Sequence, residues 1–345
     1  MEKQAILRAA GMAAAAVIFL SFLSAHQEQT YKIQLFDAFD TISEITIETP
    51  KDGDQILQDC RSLILEDDAL YSPTKPDSDI SKINSAAGSQ EPVAIHEKTA
   101  RLLAEAKKAY LDTSGFFDIS IGALVKAWGI GTDAARVPEQ EELTQCLHLT
   151  DIGALSLDEE NCTASLAKPG QRLDLGGIAK GAATEDILEL LRKSGVSSAL
   201  INLGGNTYAL GKRPDQTAWN IGIQDPNDPE SVVGSLAVVN QAVITSGSYQ
   251  RYFEQDGVRY HHILNPYTGM PSKSGLLSVT IISPDPSEAD MLSTACFLLG
   301  YSESQPLLAE FGAKAVFVTE DQTVYYSADL PFTHENENYT YQPIS

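Results

Sequence analysis

The order of strand-like and helix-like segments constrains the fold of this 345-residue chain more than any other feature. Segments rich in Ile, Val, Phe and Thr occur in runs, most clearly over residues 199–282, and helical patterns are inserted between the runs. A parallel α/β fold would instead alternate single strands with single helices. The pattern therefore predicts an α+β fold with largely antiparallel or mixed sheets flanked by helices.

Apolar periodicity predicts where the main elements lie. Helical spacing is found over Gln55–Tyr71, Glu97–Ser114, Val137–Leu149, Ile178–Ser194, Pro286–Leu299 and Ser304–Phe311. Two strands are predicted around Asp40, within Tyr31–Thr49. Ser72–Ser89, rich in Pro, Asp and Ser, is predicted to be a loop, and Gly115–Gly131 is too irregular to predict a plain helix or strand.

The first 29 residues predict export from the cytoplasm. Lys3 and Arg8 precede an almost unbroken apolar run over residues 9–25. A basic segment followed by an apolar segment is typical of a signal peptide, and a run of about 17 residues also reaches the lower limit for a membrane span. We therefore expect residues 1–29 to be a cleaved signal peptide or a membrane anchor, and residues 30–345 to form one extracytoplasmic domain, secreted or anchored to the membrane.

Charge and cysteine content exclude some functions. The net charge is −23, and no run of Lys and Arg offers the basic surface that a nucleic-acid-binding protein needs. An anionic substrate would require local positive charge or a metal ion. The four cysteines show no CxxC motif and no metal-ligand spacing. A single bridge, such as Cys146 to Cys162, is compatible with the sequence but is not determined by it.

The segment LDLGGIAKG, residues 173–181, is the first candidate site, and we call it the glycine corner. A strand is predicted to end at Leu175, and two glycines lead into a helix that begins near Ile178. Glycines allow the backbone to approach a ligand closely, and a helix N-terminus presents unpaired N–H groups. With Lys180 as a nearby cation, the corner is suited to a pyrophosphate, although such a corner also serves tight packing.

The helix predicted over Pro286–Leu299 carries two candidate metal ligands. Asp285 and Glu288 give its N-terminus the pattern of a capping box. Asp290 and Thr294 are four residues apart, so their side chains share one helix face. A carboxylate and a hydroxyl are hard oxygen ligands of the kind that Mg²⁺ takes in small number, together with phosphates or water. The alternative is a solvated acid and a core-filling threonine.

Three further side chains are candidates for catalysis or for contact with a planar ligand. His261 and His262 end a predicted strand, and only one of them can face a site because adjacent side chains point to opposite faces. His262 is the candidate general acid or base, with a structural role as the alternative. Tyr71 can stack on a planar ring or pack on the surface. Asp118 can accept hydrogen bonds from a heterocycle or cap a turn.

Seven motifs follow one another along the chain, namely YSPTKPDSDISKIN, GFFDISIGALVKAWG, LDLGGIAKG, INLGGN, ITSGSYQRYF, HHILNPYTGMPS and ADMLSTACFLLG. In this order they closely resemble the FAD:protein FMN transferase (ApbE) family, from about Phe36 to about Val318. The resemblance implies a cleft between two interlocked sublayers. It also implies an enzyme that binds FAD and Mg²⁺, cleaves the pyrophosphate, links FMN to a Thr or Ser of an acceptor protein, and releases AMP.

The resemblance also implies roles for individual residues. It makes Asp290, Thr294 and the carbonyl of Gly177 the metal ligands, and His262 the base for the acceptor hydroxyl. It assigns contacts with FAD or its pocket to Lys180, Tyr71, Asp118, Leu264 and Phe39. Phe39 stands in the sequence AFDT, where many members have Met-Gly-Thr, so this position departs from the family pattern.

Three functions are compatible with the sequence. The favoured one is transfer of FMN to an exported or membrane redox protein with a Thr-containing flavinylation motif. The second is a magnesium-dependent FAD pyrophosphatase, in which water replaces the acceptor hydroxyl. The third is a non-catalytic flavin-binding protein, against which the candidate base His262 argues.

Overall fold

The structure is a computed structural model that describes residues 29–89 and 91–344. The predicted export segment lies outside these residues, except for its last residue, Gln29. Within the described part of the chain, no helix combines the length and the apolar character needed to cross a membrane.

Eight α-helices are found in the described residues, and six of them match predicted helices. They are α1 (Gly53–Tyr71), α2 (Asp79–Ser85), α3 (Glu97–Asp112), α4 (Gly122–Trp128), α5 (Gln140–Leu149), α6 (Ala179–Lys193), α7 (Pro286–Leu299) and α8 (Gln305–Phe311). Helix α7 has the predicted bounds, and the Asp285 side chain caps it by accepting a hydrogen bond from the Glu288 N–H at 2.9 Å.

A nine-stranded sheet forms the centre of the fold, in the order β1-β2-β6-β7-β10-β13-β14-β15-β17. Its strands are β1 (Gln29–Ala38), β2 (Thr41–Thr49), β6 (Ser198–Leu203), β7 (Asn206–Leu210), β10 (Gln241–Gly247), β13 (Leu276–Ser283), β14 (Lys314–Thr319), β15 (Thr323–Ser327) and β17 (Thr340–Ile344). All neighbouring strands are antiparallel except β15 and β17. The predicted α+β class with largely antiparallel and mixed sheets is confirmed.

Three smaller sheets surround the central one. Their orders are β16-β9-β8, β3-β5-β4 and β11-β12. Their strands are β3 (Val93–Ala94), β4 (Leu155–Asp158), β5 (Thr163–Leu166), β8 (Trp219–Asp225), β9 (Asp228–Val238), β11 (Tyr252–Gln255), β12 (Val258–His261) and β16 (Phe332–His334). Within the strand-rich run of residues 199–282, residues 239 and 240 form a turn that separates β9 from β10.

The central sheet is buried on both faces, which explains the continuous apolar run of β13. Ile281 belongs to the core that lies under the helices, whereas its neighbour Ile282 belongs to a second core shared with β8 and β9. Successive strand residues point to opposite faces, so each core receives every second side chain. Helix α7 packs on β10 and β13, and α6 packs on α7. The sheet thereby fixes the positions of the two helices that carry the candidate ligands.

Two short helices correct the sequence predictions. Helix α2 lies inside the predicted loop over residues 72–89, where the Ser78 side chain accepts from the Ser81 N–H at 3.0 Å. Helix α4 lies inside the segment judged too irregular, and Gly129 ends it with a left-handed φ of +60°. Each helix has only seven residues, too few for apolar periodicity to reveal.

All four cysteines lie in the described residues and are free thiols. The bridge considered between Cys146 and Cys162 is not formed. Burial raises the pKa of Cys296 to about 12, so this thiol is unreactive at neutral pH.

Candidate active site

The glycine corner turns directly from an extended segment into helix α6. The Leu175 carbonyl accepts hydrogen bonds from the N–H groups of Ile178 and Ala179 at 3.0 and 2.9 Å, which closes the turn. No side chain caps the helix at Ile178. Among the first four N–H groups of the helix, only that of Lys180 has no acceptor within the described residues, since Leu175, Asp290 and Ile178 accept from the others. This N–H and the positive end of the helix dipole remain available to an anion. Gly176 is exposed at this corner, so a ligand can approach its backbone.

Helix α7 packs against the first turn of α6 with little space between the backbones. The Gly181 N–H donates to Asp290 Oδ2 at 3.0 Å, although the two residues are far apart in the sequence. A Cβ atom at Gly181 would lie 2.5 Å from the Pro286 carbonyl oxygen and 2.7 Å from the Ser287 Cα. Only glycine fits here, and its absence of a side chain brings the Asp290 carboxylate to the corner.

Thr294 lies beside Gly177, as the predicted metal site requires. A Cβ atom at Gly177 would be 3.1 Å from Thr294 Oγ1 and 3.0 Å from Phe117 Cε2. Because glycine has no Cβ atom, the Thr294 hydroxyl can lie this close to the backbone. The preceding Ser293 hydroxyl donates to the Asp290 carbonyl at 2.8 Å. Within the described residues, the Thr294 hydroxyl has no hydrogen-bond partner, which leaves its oxygen free to bind a ligand.

The chemistry of these donors suits a small hard cation that also binds a substrate. The Asp290 carboxylate and the Thr294 hydroxyl both reach the glycine corner, beside Gly181 and Gly177 respectively. The sequence prediction adds the Gly177 carbonyl as a third oxygen donor. Across residues 29–89 and 91–344, no group of three or more His, Cys, Asp or Glu side chains has the geometry of a metal site. A cation here would therefore complete its coordination with phosphate or water oxygens, which is the habit of Mg²⁺.

Lys180 points to the same corner. Its Nζ donates to the Gly176 carbonyl at 3.1 Å and lies 3.9 Å from Asp290 Oδ1. The lysine therefore adds a positive charge where the sequence predicts the pyrophosphate.

His262 is held by one backbone group at the end of β12. Its N–H donates to the Arg251 carbonyl at 3.1 Å, and its Nδ1 lies 3.2 Å from the same oxygen. A carbonyl only accepts hydrogen bonds, so Nδ1 carries the proton and Nε2 keeps its lone pair. Burial by the surrounding protein atoms lowers the pKa of His262 to about 4, and the positive charges of Arg251 and Lys180 act in the same direction. The ring is therefore a neutral base at neutral pH.

The neighbouring His261 faces the other way, as predicted from strand geometry. It is buried, its Nε2 lies 3.1 Å from the Ser272 carbonyl, and its ring meets Phe297 edge to face. Of the two adjacent histidines, only His262 is thus placed to face a cleft.

Asp118 lies on a segment that runs alongside the glycine corner. Its Oδ1 accepts from the N–H and the hydroxyl of Ser120 at 2.7 and 2.6 Å, an arrangement that caps the turn. The Asp174 N–H donates to the Ile119 carbonyl at 2.8 Å, which joins this segment to the corner. Burial raises the pKa of Asp118.

Phe39 lies at the tip of the β1–β2 hairpin and is half-buried against the main core. Phe39 and Asp40 both have left-handed φ angles, +54° and +50°, which suit a two-residue hairpin turn. The Asp40 carbonyl accepts from Arg251 Nη2 at 3.2 Å. The tip is therefore connected to the residue that holds His262.

Tyr71 and Leu264 are placed in the interior instead. The Tyr71 side chain is only 3% exposed, and burial beside Asp67 and Asp186 raises its pKa. The Leu264 side chain belongs to a small core around Trp128, and its backbone pairs with Pro271. Neither side chain presents a surface to the corner, so a contact of Leu264 with a ligand would come from its backbone.

Two residues of this region were not singled out from the sequence. Asp174 accepts from the Gly176 N–H at 2.8 Å, and burial raises its pKa despite the positive charges of Arg251 and Lys180. Arg251 links the hairpin tip to His262 through the two contacts described above. The Asp-x-Gly spacing of Asp174 and Gly176 is typical of a side chain that accepts from the backbone two residues on, so the sequence alone could have indicated Asp174. The contact of Arg251 with Asp40 is made only by the fold.

A cavity of about 500 Å³ on another side of α6 does not suit the same ligand. Five carboxylate side chains and two arginines line it, from Glu105, Glu185, Asp186, Glu189, Asp285, Arg101 and Arg192. Burial is the main cause that raises the pKa of Glu185 to about 7, and repulsion from the carboxylates of Asp285 and Glu105 acts in the same direction. A pyrophosphate would meet excess negative charge there, so the glycine corner is the better anion site.

Comparison with known proteins finds relatives that match most of the chain. The family model described as the ApbE family matches residues 37–317. The chain is 38% identical to the FAD:protein FMN transferase of Treponema pallidum, over 79% of this chain and 80% of that protein. It is 39% identical to an FAD:protein FMN transferase of Klebsiella pneumoniae, over 77% of this chain and 83% of that protein.

Solved structures show the same fold. The crystal structure of the ApbE protein from Thermotoga maritima superposes with a TM-score of 0.79 at 32% identity, covering 86% of this chain and 96% of that one. The flavin transferase ApbE from Vibrio cholerae gives a TM-score of 0.76 at 26% identity, covering 89% of this chain and 97% of that one.

Proposed function

Because the chain belongs to the ApbE family, we propose that it transfers the FMN half of FAD to a Thr or Ser hydroxyl of an acceptor protein, with Mg²⁺ as cofactor, and releases AMP. The observation that carries the proposal is the contact between the glycine corner and helix α7. This contact brings two oxygen donors, Asp290 and Thr294, to the N-terminal end of α6.

The carbonyl of Gly177, the carboxylate of Asp290 and the hydroxyl of Thr294 would hold the Mg²⁺. When bound, the ion would offset negative charge on the phosphates of FAD. The close approach of the Thr294 hydroxyl to Gly177, and the absence of a hydrogen-bond partner for this hydroxyl within the described residues, support this assignment.

The chain's own groups supply the remaining positive charge for binding FAD. The positive end of the α6 dipole and the Lys180 ammonium both lie at the corner. In a chain with a net charge of −23, such local donors are needed to attract an anionic substrate. Asp118 stands at the edge of the same region, where its carboxyl group is suited to a hydrogen bond with the flavin nucleotide.

His262 performs the proton transfer in this proposal. The acceptor hydroxyl gives its proton to Nε2, while Nδ1 stays hydrogen-bonded to the Arg251 carbonyl. The hydroxyl oxygen forms a bond to the phosphorus of the FMN half, and the bond from that phosphorus to the bridging oxygen breaks. AMP leaves with the bridging oxygen. The reaction needs positioning and charge stabilisation more than covalent catalysis by the protein.

The acceptor and the compartment belong to the same proposal. The basic and apolar pattern of residues 1–29 supports action outside the cytoplasm. The acceptor would then be an exported or membrane redox protein with a Thr-containing flavinylation motif.

Mass spectrometry tests this function. The chain is mixed with FAD, Mg²⁺ and an acceptor domain that carries a threonine flavinylation motif, and a chelator replaces Mg²⁺ in the control. We expect the acceptor to gain the mass of an FMN phosphoester and AMP to appear, only with Mg²⁺. Free FMN with AMP and an unmodified acceptor would show a pyrophosphatase instead, and intact FAD would show a passive flavin-binding protein.

A further inference from the structure

Arg251 and His262 stand opposite each other at the open end of the β11–β12 hairpin. In the hairpin register, Tyr252 pairs with His261. The next pair outward is Arg251 with His262, and the His262 N–H donates to the Arg251 carbonyl at 3.1 Å. Residues that pair across two antiparallel strands project from the same face. The Arg251 side chain and the candidate base therefore share one face of the hairpin.

The side chains on the two faces of the hairpin agree with this arrangement. Phe253 and Tyr260 lie on the same face as Arg251, and their rings stack with centroids 5.3 Å apart. Arg259 lies on the opposite face, above the ring of Tyr252 at 4.2 Å from its centroid. The hairpin thus carries two arginines on opposite faces, and only Arg251 shares the face of the base.

The Arg251 guanidinium holds the tip of the β1–β2 hairpin. Its Nη2 donates to the Asp40 carbonyl at 3.2 Å. On its way the side chain passes Gly131, in the loop after α4, where a Cβ atom would lie 3.8 Å from Arg251 Cδ. Within the described residues this guanidinium forms no ion pair with a carboxylate. The Asp40 carbonyl is therefore the contact that fixes its position.

The tip that Arg251 holds has an uncommon backbone conformation. Phe39 and Asp40 have φ angles of +54° and +50°. Left-handed φ angles are uncommon for residues other than glycine, and a bulky side chain such as phenylalanine makes them an outlier. Such strain persists only where the surrounding contacts over-determine the conformation. The bond from Arg251 is one of these contacts, and the bond from the Gly204 N–H to the Ile42 carbonyl at 3.1 Å is another.

We propose that Arg251 is a positioning residue for FMN transfer, because its side chain fixes the strained hairpin tip while its carbonyl fixes the base. The proposal rests on the proposed function, in which Phe39 contacts FAD and His262 accepts the proton. Arg251 keeps these two groups at one spacing without touching the reacting atoms. Without the guanidinium the tip is released, and a misplacement of about 1 Å can slow an enzymatic step about 10²-fold.

Transfer kinetics of Arg251→Gln and of its matched control Arg259→Gln test this role. Each variant removes one guanidinium from the same hairpin, on opposite faces. We expect kcat for FMN transfer to an acceptor domain to fall by about 10- to 100-fold in Arg251→Gln. In Arg259→Gln it should stay within about twofold of wild type, because the exposed pair with Glu254 contributes little. The affinity for FAD, measured by flavin fluorescence, should fall by less than kcat in Arg251→Gln.

Two further measurements separate positioning from a general loss of stability. Hydrogen exchange followed by mass spectrometry should show faster exchange of the tip amides, residues 39–42, in Arg251→Gln but not in Arg259→Gln. The NMR midpoint of the His262 ring should rise in Arg251→Gln, since the positive charge of Arg251 helps to lower this pKa. Arg251→Lys keeps the charge, so its midpoint should stay near that of the wild type and its kcat should fall less.

Three results would overturn the positioning role. They are an unchanged kcat in Arg251→Gln, a lower kcat without faster exchange at the tip, and an equal loss of kcat in Arg259→Gln. If Arg251→Gln does not fold, Arg251→Lys carries the same comparison of kcat and tip exchange. Hydrogen exchange and NMR require no turnover, whereas failure of the wild-type chain to transfer FMN would reject the proposed function instead.

Discussion

The glycine corner and the β11–β12 hairpin contribute to one proposed reaction but are built in opposite ways. At the corner, two buried helices touch backbone to backbone, and a Cβ atom at Gly181 would collide with α7. The hairpin belongs to a separate two-stranded sheet, and His262 at its end depends on a single carbonyl. The difference suggests that phosphate and metal binding are fixed by the fold, whereas the transfer step depends on a few local contacts.

The largest expected effect is on the corner side of this comparison. Asp290→Asn keeps the shape of the side chain but removes the charge that would bind Mg²⁺. We expect turnover with Mg²⁺ to fall by about 10³-fold or more, since a metal ion contributes several kcal/mol of transition-state stabilisation. FMN transfer measured by mass spectrometry checks this, and near-normal turnover would reject the metal assignment.

Asp285→Asn is the matched control on the same helix. Asparagine caps helices about as well as aspartate, and Asp285 caps α7 from outside the corner. Its turnover should stay close to wild type.

The next effect concerns the hairpin side. His262→Ala removes the base but leaves the corner intact, so we expect FMN transfer to slow by about 10²- to 10⁴-fold. Binding of FAD, followed by flavin fluorescence, should be unchanged within error. Equal losses of binding and transfer would mean that the two regions are not separable.

A smaller effect is expected on the free energy of unfolding, and it tests the close packing of the two helices at the glycine corner. Gly181→Ala places a Cβ atom 2.5 Å from the Pro286 carbonyl oxygen, and neither backbone can move freely. We expect a loss of about 1–3 kcal/mol in the free energy of unfolding, as found for overpacked sites, measured by urea titration. Gly153→Ala, where the new atom meets only the Asp151 side chain at 3.1 Å, should cost clearly less.

The smallest effect concerns the protonation of the His262 ring. Burial lowers the pKa of His262 to about 4, so the ring stays neutral and active as a base down to mildly acidic pH. The His262 ring resonances in NMR should therefore not titrate between pH 8 and pH 5.5. A midpoint near 6.5 would show a solvated ring and would contradict the enclosed site described above.

Local sequence signals predicted the corner well. Capping by Asp285, the start of α6 after two glycines and the shared helix face of Asp290 and Thr294 all depend on residues close in sequence. The same signals gave the bounds of α7 and the α+β class. Whether those residues carry the proposed roles stays a prediction.

Signals of this kind could not predict contacts made by the fold. Arg251 meets His262 across a short hairpin, but its contact with Asp40, 211 residues earlier in the chain, is made only by the fold. Tyr71 has the sequence environment of a surface ring at a helix end, yet it is buried. Burial of such a side chain depends on which elements pack over it, and a single segment does not contain that information.

Direct metal binding tests the central claim, that the glycine corner and α7 together form a cation site for FAD. Binding of Mn²⁺, as a spectroscopic substitute for Mg²⁺, is measured by electron paramagnetic resonance with and without FAD. The account predicts that FAD tightens Mn²⁺ binding in the wild-type chain and that Asp290→Asn and Thr294→Val weaken it, while Asp285→Asn does not. Equal Mn²⁺ binding by the wild type and by Asp290→Asn in the presence of FAD would contradict it.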